Sequence, residues 1–249
     1  MNDPTIRFDA ALNHLGVIMD GNGRWAQRKG LPRSAGHQAG VQALKRLVSL
    51  AGEYNIRIIT AFAFSTENWQ RPSSEVDFLM SLLAETITKE IDELEEKGVR
   101  LRFIGRLHEL PEDLVRSLNR AMARTASNKK LILNVAINYG GRAEIVDAVR
   151  KVAALVQAGQ VAINDIDQDL VARQMTTGGL PDPDLIIRTG GERRLSNFLL
   201  WQSAYAELWV TSTYWPDFDR QELVKALLEY HGRERRFGRI DASPLEEEI

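Results

Sequence analysis

The stretch HLGVIMDGNGRWA, His14 to Ala26, carries the strongest chemical signal in the chain. An apolar run, Leu15 to Met19, leads straight into Asp20 and then into two glycines bracketing Asn22. Such a pattern reads as a buried strand that ends in a tight loop, with Asp20 at the carboxyl edge of the strand. Gly21 and Gly23 allow backbone N–H groups to approach an anion closely, and Arg24 adds a positive charge beside them. A carboxylate next to a phosphate-accepting loop is what a magnesium–diphosphate site requires, because the metal bridges acid and phosphate. The chemistry expected of this segment is that of a phosphorylated substrate.

A second stretch repeats the design. RTGGERRLSNFLLWQ, Arg188 to Gln202, follows the apolar run Asp184–Ile187 and offers Arg188, two glycines, Arg193, Arg194 and the hydroxyl of Ser196. Two Gly/Arg loops, each after a strand, suit two separate diphosphates. Arg33 and His37 stand where a helix should begin, a place where the dipole already favours a phosphate. FSTENWQRP adds Ser65, Glu67 and Asn68 as polar groups, Trp69 as an aromatic wall and Arg71 as a further cation.

The elements that must position these residues alternate. Strands are expected at Leu15–Met19, Ile56–Phe64, Val99–Ile104, Leu131–Ile137, Asp184–Ile187 and Glu207–Thr211. Helices are expected at Gln38–Tyr54, Ser74–Lys97, Pro111–Ser127, Arg142–Gln157, Asp167–Thr176 and Arg220–Arg233. Alternation of this kind predicts an α/β fold: one domain over 1–249, with a mostly parallel six-stranded sheet flanked by helices. No internal repeat or long Pro/Gly/Ser linker divides the chain; residues 1–13 and 240–249 read as flexible tails. Asp20, Ser65, Asn138 and Arg188 each fall just past a predicted strand, so they share the rim at which open parallel sheets bind ligands.

Composition narrows the function. The 249 residues are 44% hydrophobic and 27% charged, a soluble globular balance, and the net charge of −2 supplies no basic field for nucleic acid. Cysteine is absent, which removes disulfides, thiolate catalysis and thiolate metal sites. No apolar stretch approaches the roughly 20 residues of a membrane helix and no signal-peptide core is present, so a cytoplasmic protein is expected. GNGRWA also fits the dinucleotide pattern G-x-G-x-x-A, but the ribose-binding acid expected about 20 residues on is missing, Val41 to Ser49 carrying no carboxylate. His14, His108 and His231 lie in no such cluster and receive no role.

With AFAFSTENWQRP between them, the two Gly/Arg loops resemble the cis-prenyltransferase family, and most closely its bacterial undecaprenyl diphosphate synthases; the resemblance runs from about His14 to Gly238. It implies a Mg2+-dependent transferase that condenses isopentenyl diphosphate repeatedly with an allylic diphosphate, farnesyl diphosphate being expected. The product would be a long cis-polyprenyl diphosphate, most simply the undecaprenyl carrier precursor of cell-wall synthesis. The allylic diphosphate would rest on Gly21, Asn22, Gly23, Arg24, Arg33 and His37, and isopentenyl diphosphate on Arg188, Arg194 and Ser196 with Arg71 nearby. Trp25, Ser65, Thr66, Glu67, Trp69 and Leu195 fall within the same substrate-binding stretches. Asp20 would hold the metal, Glu207 would be a second metal-linked acid reaching the site from a neighbouring subunit of a homodimer, and Asn68 would assist proton removal. An amide is a poor base, so Asn68 is expected to act through orientation or through diphosphate and water. Arg236-Phe237-Gly238 matches a family R-x-G element that crosses the dimer.

Two points stay open at this level. Some relatives have a metal-binding histidine where this chain has Arg193, which weakens a fixed second metal site. The helix Ser74–Lys97 carries an unusually wide apolar stripe that includes Val76, Leu79, Leu82, Leu83 and Ile87. Periodicity fits both a buried core helix and the wall of a hydrocarbon tunnel. A tunnel would leave room for a transient membrane contact at product release. A non-catalytic partner subunit of the same fold is the other reading, but such subunits lack the acid and the glycine loop found here.

Overall fold

The computed structural model describes residues 12–233. Six strands form one sheet: β1 (His14–Ile18), β2 (Ile58–Ser65), β3 (Val99–Ile104), β4 (Leu131–Tyr139), β5 (Leu185–Arg188) and β6 (Glu207–Val210). Their order across the sheet is β3-β4-β2-β1-β5-β6, and every pairing is parallel. The chain is thus the expected single α/β domain.

Among the described residues seven helices accompany the sheet: α1 (Asn22–Arg28), α2 (Arg33–Glu53), α3 (Ser73–Glu96), α4 (Glu112–Thr125), α5 (Gly141–Gln157), α6 (Gln168–Gln174) and α7 (Arg220–His231). Asp167 and Asp219 cap α6 and α7, each side chain accepting a backbone N–H three residues on. Alternation along the strands sends Leu15, Val17, Ile59, Ala61, Leu101, Phe103, Leu133 and Val135 into one large core. Helices α2, α3, α4 and α7 contribute Leu47, Ile87, Leu118 and Leu223 to it. The other face carries a smaller cluster, with Ile18, Ile104, Tyr139, Ile186 and Phe198. Tyr139 Oη donates to Glu144 of α5 at 2.5 Å, which ties that helix to the sheet.

The structure departs from the sequence reading near the site. Residues 22–28 form α1 rather than continuing the tight loop, and α2 begins at Arg33, not Gln38. Glycine content argues against helix locally, yet here glycine is what lets two helices touch. A Cβ at Gly36 would lie 2.1 Å from the Asn22 carbonyl, and one at Gly40 would lie 2.7 Å from Asn22 Oδ1. Strand β4 runs two residues further than expected, so Asn138 lies inside it, in the left-handed region at φ 48°. The register of β2 shifts around Phe64, a bulge that re-aims the strand end beside the site. At the N-terminus Leu12 is 2% exposed and Asn13 N–H donates to Asp184, so the predicted tail of residues 1–13 is too long by these two. The remaining tail residues, and Arg236-Phe237-Gly238, lie outside the described residues. Among the described residues no helix is long and apolar enough to cross a membrane.

Candidate active site

The rim at the carboxyl ends of β1 and β5 is built around Asp20. Its backbone is fixed on both sides: its N–H donates to Thr189 Oγ1 at 3.0 Å, and its carbonyl accepts from Thr189 Oγ1 at 2.7 Å and from Trp215 N–H at 3.0 Å. Its carboxylate accepts from Arg24 Nη2 at 3.0 Å and from Arg188 Nη2 at 2.9 Å. Burial alone would raise the Asp20 pKa, but the hydrogen bonds and charges of Arg188 and Arg24 outweigh it and hold the group below its ordinary value.

The two Gly/Arg loops interlock here. Arg24 Nη1 donates to the Gly190 carbonyl at 3.1 Å, and a Cβ on Gly190 would meet Arg24 Nη2 at 2.7 Å. Arg188, whose side chain is 4% exposed, also donates through Nη1 to the Arg194 carbonyl at 2.5 Å and to Ser196 Oγ at 2.7 Å. Its Nε is buried without a hydrogen-bond partner among the described residues. Gly21 opens α1 at φ 102°, with the Tyr214 ring where a Cβ would stand, so only glycine suits this turn. The first intrahelical bond runs from Trp25 N–H to the Gly21 carbonyl, which leaves the amides of Asn22, Gly23 and Arg24 outside the helical ladder.

A second cluster gathers on Glu75, a residue that motif reading missed. Glu75 accepts from Arg33 Nε at 3.1 Å and from Arg71 Nη1 at 2.9 Å, and it lies 3.3 Å from His37 Nε2. Arg33 in turn lies over Gly23, where a Cβ would come 2.7 Å from its Cζ. The cation set expected from sequence is therefore assembled by a carboxylate on α3. The only signal for it was the four-residue spacing from Arg71. Burial, reinforced by Arg71 and Arg33 against the opposing pull of Glu75, lowers the His37 pKa.

The 3-10 turn Thr66–Gln70 follows β2. Asn68 Oδ1 accepts the Ser65 N–H at 3.1 Å, so that oxygen is spent on capping the turn. Trp69 Nε1 donates to Asn138 Oδ1 at 2.7 Å, and its ring meets the Phe64 ring edge-on. Glu67 accepts from Asn197 Nδ2 at 2.8 Å. Below this rim opens an apolar cavity of about 170 Å³. Met19, Asn22 and His37 line it near Asp20; Leu79, Leu82, Leu83 and Ile87 line it along α3; Leu101 and Leu133 line its far end. Of the 24 residues of α3 only Val76 and Ile87 are buried; Ile87, Leu79 and Leu83 belong both to the large core and to the cavity wall, so the stripe of α3 serves the two at once.

Other expected site residues sit apart. Trp25 turns to Asp217, its Nε1 donating at 2.7 Å, and the Arg194 side chain pairs with Glu192 at 2.6 Å, largely exposed. Leu195 packs against the smaller core. Glu207 lies at the opposite end of the sheet from the rim, level with Leu185, where it pairs with Arg233. This chain therefore does not bring its own Glu207 to its own Asp20. Among the described residues no three His, Cys, Asp or Glu side chains are placed to cage a metal. A lone carboxylate fits only a magnesium whose other ligands are phosphate and water, the usual manner of Mg2+ binding at phosphate sites.

The chain is similar to known proteins over most of its length. Residues 18–238 match the prenyltransferase family described as "Putative undecaprenyl diphosphate synthase". An isoprenyl transferase of Heliobacterium mobile is 54% identical over 227 residues, 91% of this chain and 87% of that protein. Among solved structures, lavandulyl diphosphate synthase from Lavandula x intermedia, in complex with dimethylallyl diphosphate, superposes with a TM-score of 0.88 at 37% identity, covering 92% of this chain and 98% of that one. A probable undecaprenyl diphosphate synthase from Campylobacter jejuni gives 0.76 at 33% identity, covering 96% and 100%.

Proposed function

Because the chain belongs to the undecaprenyl diphosphate synthase family of prenyltransferases, we propose that it adds isopentenyl diphosphate repeatedly to an allylic diphosphate, farnesyl diphosphate in the first round, to make a long cis-polyprenyl diphosphate of the undecaprenyl class. One observation carries this reading: the cationic rim around Asp20 opens directly onto an apolar cavity, so a single ligand with an anionic head and a hydrocarbon tail fits both.

In each round the allylic C1–O bond breaks and diphosphate departs. The terminal carbon of isopentenyl diphosphate bonds to C1, and a proton leaves its C2. Gly21, Asn22, Gly23 and Arg24, with Arg33 and His37, hold the allylic diphosphate; Arg188, Arg194 and Ser196 hold isopentenyl diphosphate, with Arg71 nearby. Preorganised cations at the place where charge develops give the largest electrostatic gain in such a reaction. Asp20 would hold a Mg2+ carried by the diphosphate, whose chemistry is to neutralise the leaving group. Since Asn68 Oδ1 already accepts the Ser65 amide, Asn68 orients the reacting pair, and the proton goes to diphosphate or water. Leu79, Leu82 and Leu83 receive the growing tail, and the tail end meets a membrane transiently at release. Glu207 would serve the site of a second copy in a homodimer, in the cytoplasm, where the product supplies a lipid carrier for cell-wall synthesis.

The test is a product analysis with purified protein, farnesyl diphosphate, radiolabelled isopentenyl diphosphate and magnesium. A ladder ending near eleven isoprene units is the expected result. A short product alone would remove the undecaprenyl assignment and keep the transfer chemistry; absence of incorporation by folded protein would reject the reading.

A further inference from the structure

Asn197 joins three segments that lie far apart in the chain. Its Nδ2 donates to Glu67 Oε1 at 2.8 Å in the turn after β2. Its Oδ1 accepts the Arg142 N–H at 2.9 Å, and its backbone carbonyl accepts the Gly141 N–H at 2.7 Å, both at the start of α5. Asn197 and its neighbour Ser196 both adopt left-handed backbone, at φ 65° and 48°, a conformation that asparagine tolerates better than most residues. The place is closely built: a Cβ on Gly140 would stand 2.7 Å from Asn197 Nδ2 and 2.7 Å from Thr66 Oγ1. Ser196, one residue earlier, receives the Arg188 guanidinium. The requirement is for a short side chain that donates to a carboxylate and accepts from an amide at once, which an asparagine amide meets.

We propose that Asn197 is a positioning residue that locks the Arg188–Ser196 loop to the Thr66–Gln70 turn, and so sets the isopentenyl diphosphate site in register with the reacting carbons over the cavity. The inference rests on the two-diphosphate reading given above. Asn197 touches no reacting atom in this scheme; it acts through Ser196 and Arg188 on one side and through Glu67 on the other.

The experiment exchanges donor and acceptor. Asn197→Asp keeps the acceptor for Arg142 N–H but sets two carboxylates against each other; Asn197→Asp combined with Glu67→Gln restores the contact with its polarity reversed. Steady-state kinetics with farnesyl and isopentenyl diphosphates, and thermal melting, are measured for wild type, both single variants and the pair. Asn197→Asp is expected to raise the KM for isopentenyl diphosphate about tenfold, as loss of a charge-assisted hydrogen bond implies. The KM for farnesyl diphosphate should move less, and the pair should regain most of the loss. Unchanged kinetics in Asn197→Asp, or a pair no better than Asn197→Asp alone, overturns the proposal. Should Asn197→Asp fail to fold, Asn197→Gly, which suits the left-handed backbone and removes both side-chain contacts, gives the same reading, a selective rise in that KM supporting the proposal and no rise overturning it. Wild type without turnover is a separate outcome: it rejects the two-diphosphate reading, and the inference falls with it.

Discussion

Arg188 and Asp20 lie 168 residues apart in the chain and 2.9 Å apart in space, joined across β5 and β1. The pair is lopsided: the arginine side chain is 4% exposed, while the aspartate is 29% exposed and open to the rim. A guanidinium this buried needs its partner, since an uncompensated buried charge is strongly destabilising. Asp20 holds Arg188 in place and, in the function proposed above, has a second duty as the carboxylate that meets the ligand.

Asp20→Ala should lower kcat by at least about a hundred- to a thousandfold. Asp20→Asn, which retains an acceptor for Arg188, should recover folding stability without recovering turnover. Thermal melting and steady-state rates on the two variants separate the duties. Near-normal turnover in either variant counts against the metal-holding role.

Chelation offers a second check on the same carboxylate. Removing divalent cations should abolish product formation, and adding back magnesium should restore it. Circular dichroism should not change, because no metal cage is built among the described residues. Turnover that persists in chelator contradicts the assignment.

Arg194 uses its backbone carbonyl to receive Arg188 and leaves its side chain exposed beside Glu192. Arg194→Ala should therefore keep the loop intact and raise the KM for isopentenyl diphosphate about tenfold, with little change in kcat. An unaltered KM removes Arg194 from that site.

Leu82 and Leu83 line the cavity along α3. Replacing either with Trp should shorten the products, which chromatography of the labelled ladder would display directly. An unchanged ladder would mean that the growing tail takes another path.

The histidines give stability a pH dependence. Burial is the main cause that holds both His14 and His37 below their ordinary value of 6.5. As the pH falls through that value the unfolded chain takes up protons that the folded one refuses, so stability declines. The melting temperature should drop between about pH 7.5 and about pH 5.5. His37→Asn should flatten part of that slope; a slope identical to wild type excludes His37 as a contributor.

Much of this was legible in sequence, for reasons that differ by residue. The six strands show themselves as apolar runs because both faces of a parallel sheet are covered. Asp20 and Arg188 stand out because each follows such a run and precedes glycines. Glu75 does not stand out, since an acid in the first turn of a helix is ordinary until Arg33, His37 and Arg71 converge on it. Helix α1 was hidden by Gly21 and Gly23, where a Cβ would meet the Tyr214 ring and the Arg33 side chain, contacts that no local pattern displays. The position of Glu207 follows from strand direction: it begins β6, and the beginnings of parallel strands lie away from the rim.

The sheet order also bears on how the chain is made. Strand β1 can pair with β2 once about the first quarter of the chain exists, but its other edge belongs to β5, whose first bonded residue is Leu185. At ordinary rates of synthesis about 10 to 30 seconds separate the emergence of these two strands from the ribosome. During that interval one edge of an entirely buried strand stands open, with Leu15, Val17 and Ile18 beside it. Unpaired apolar edges are where nascent chains stick to one another. The same central placement of β1 that brings Asp20 to Arg188 makes the growing chain most dependent on protection by chaperones until its final third has appeared.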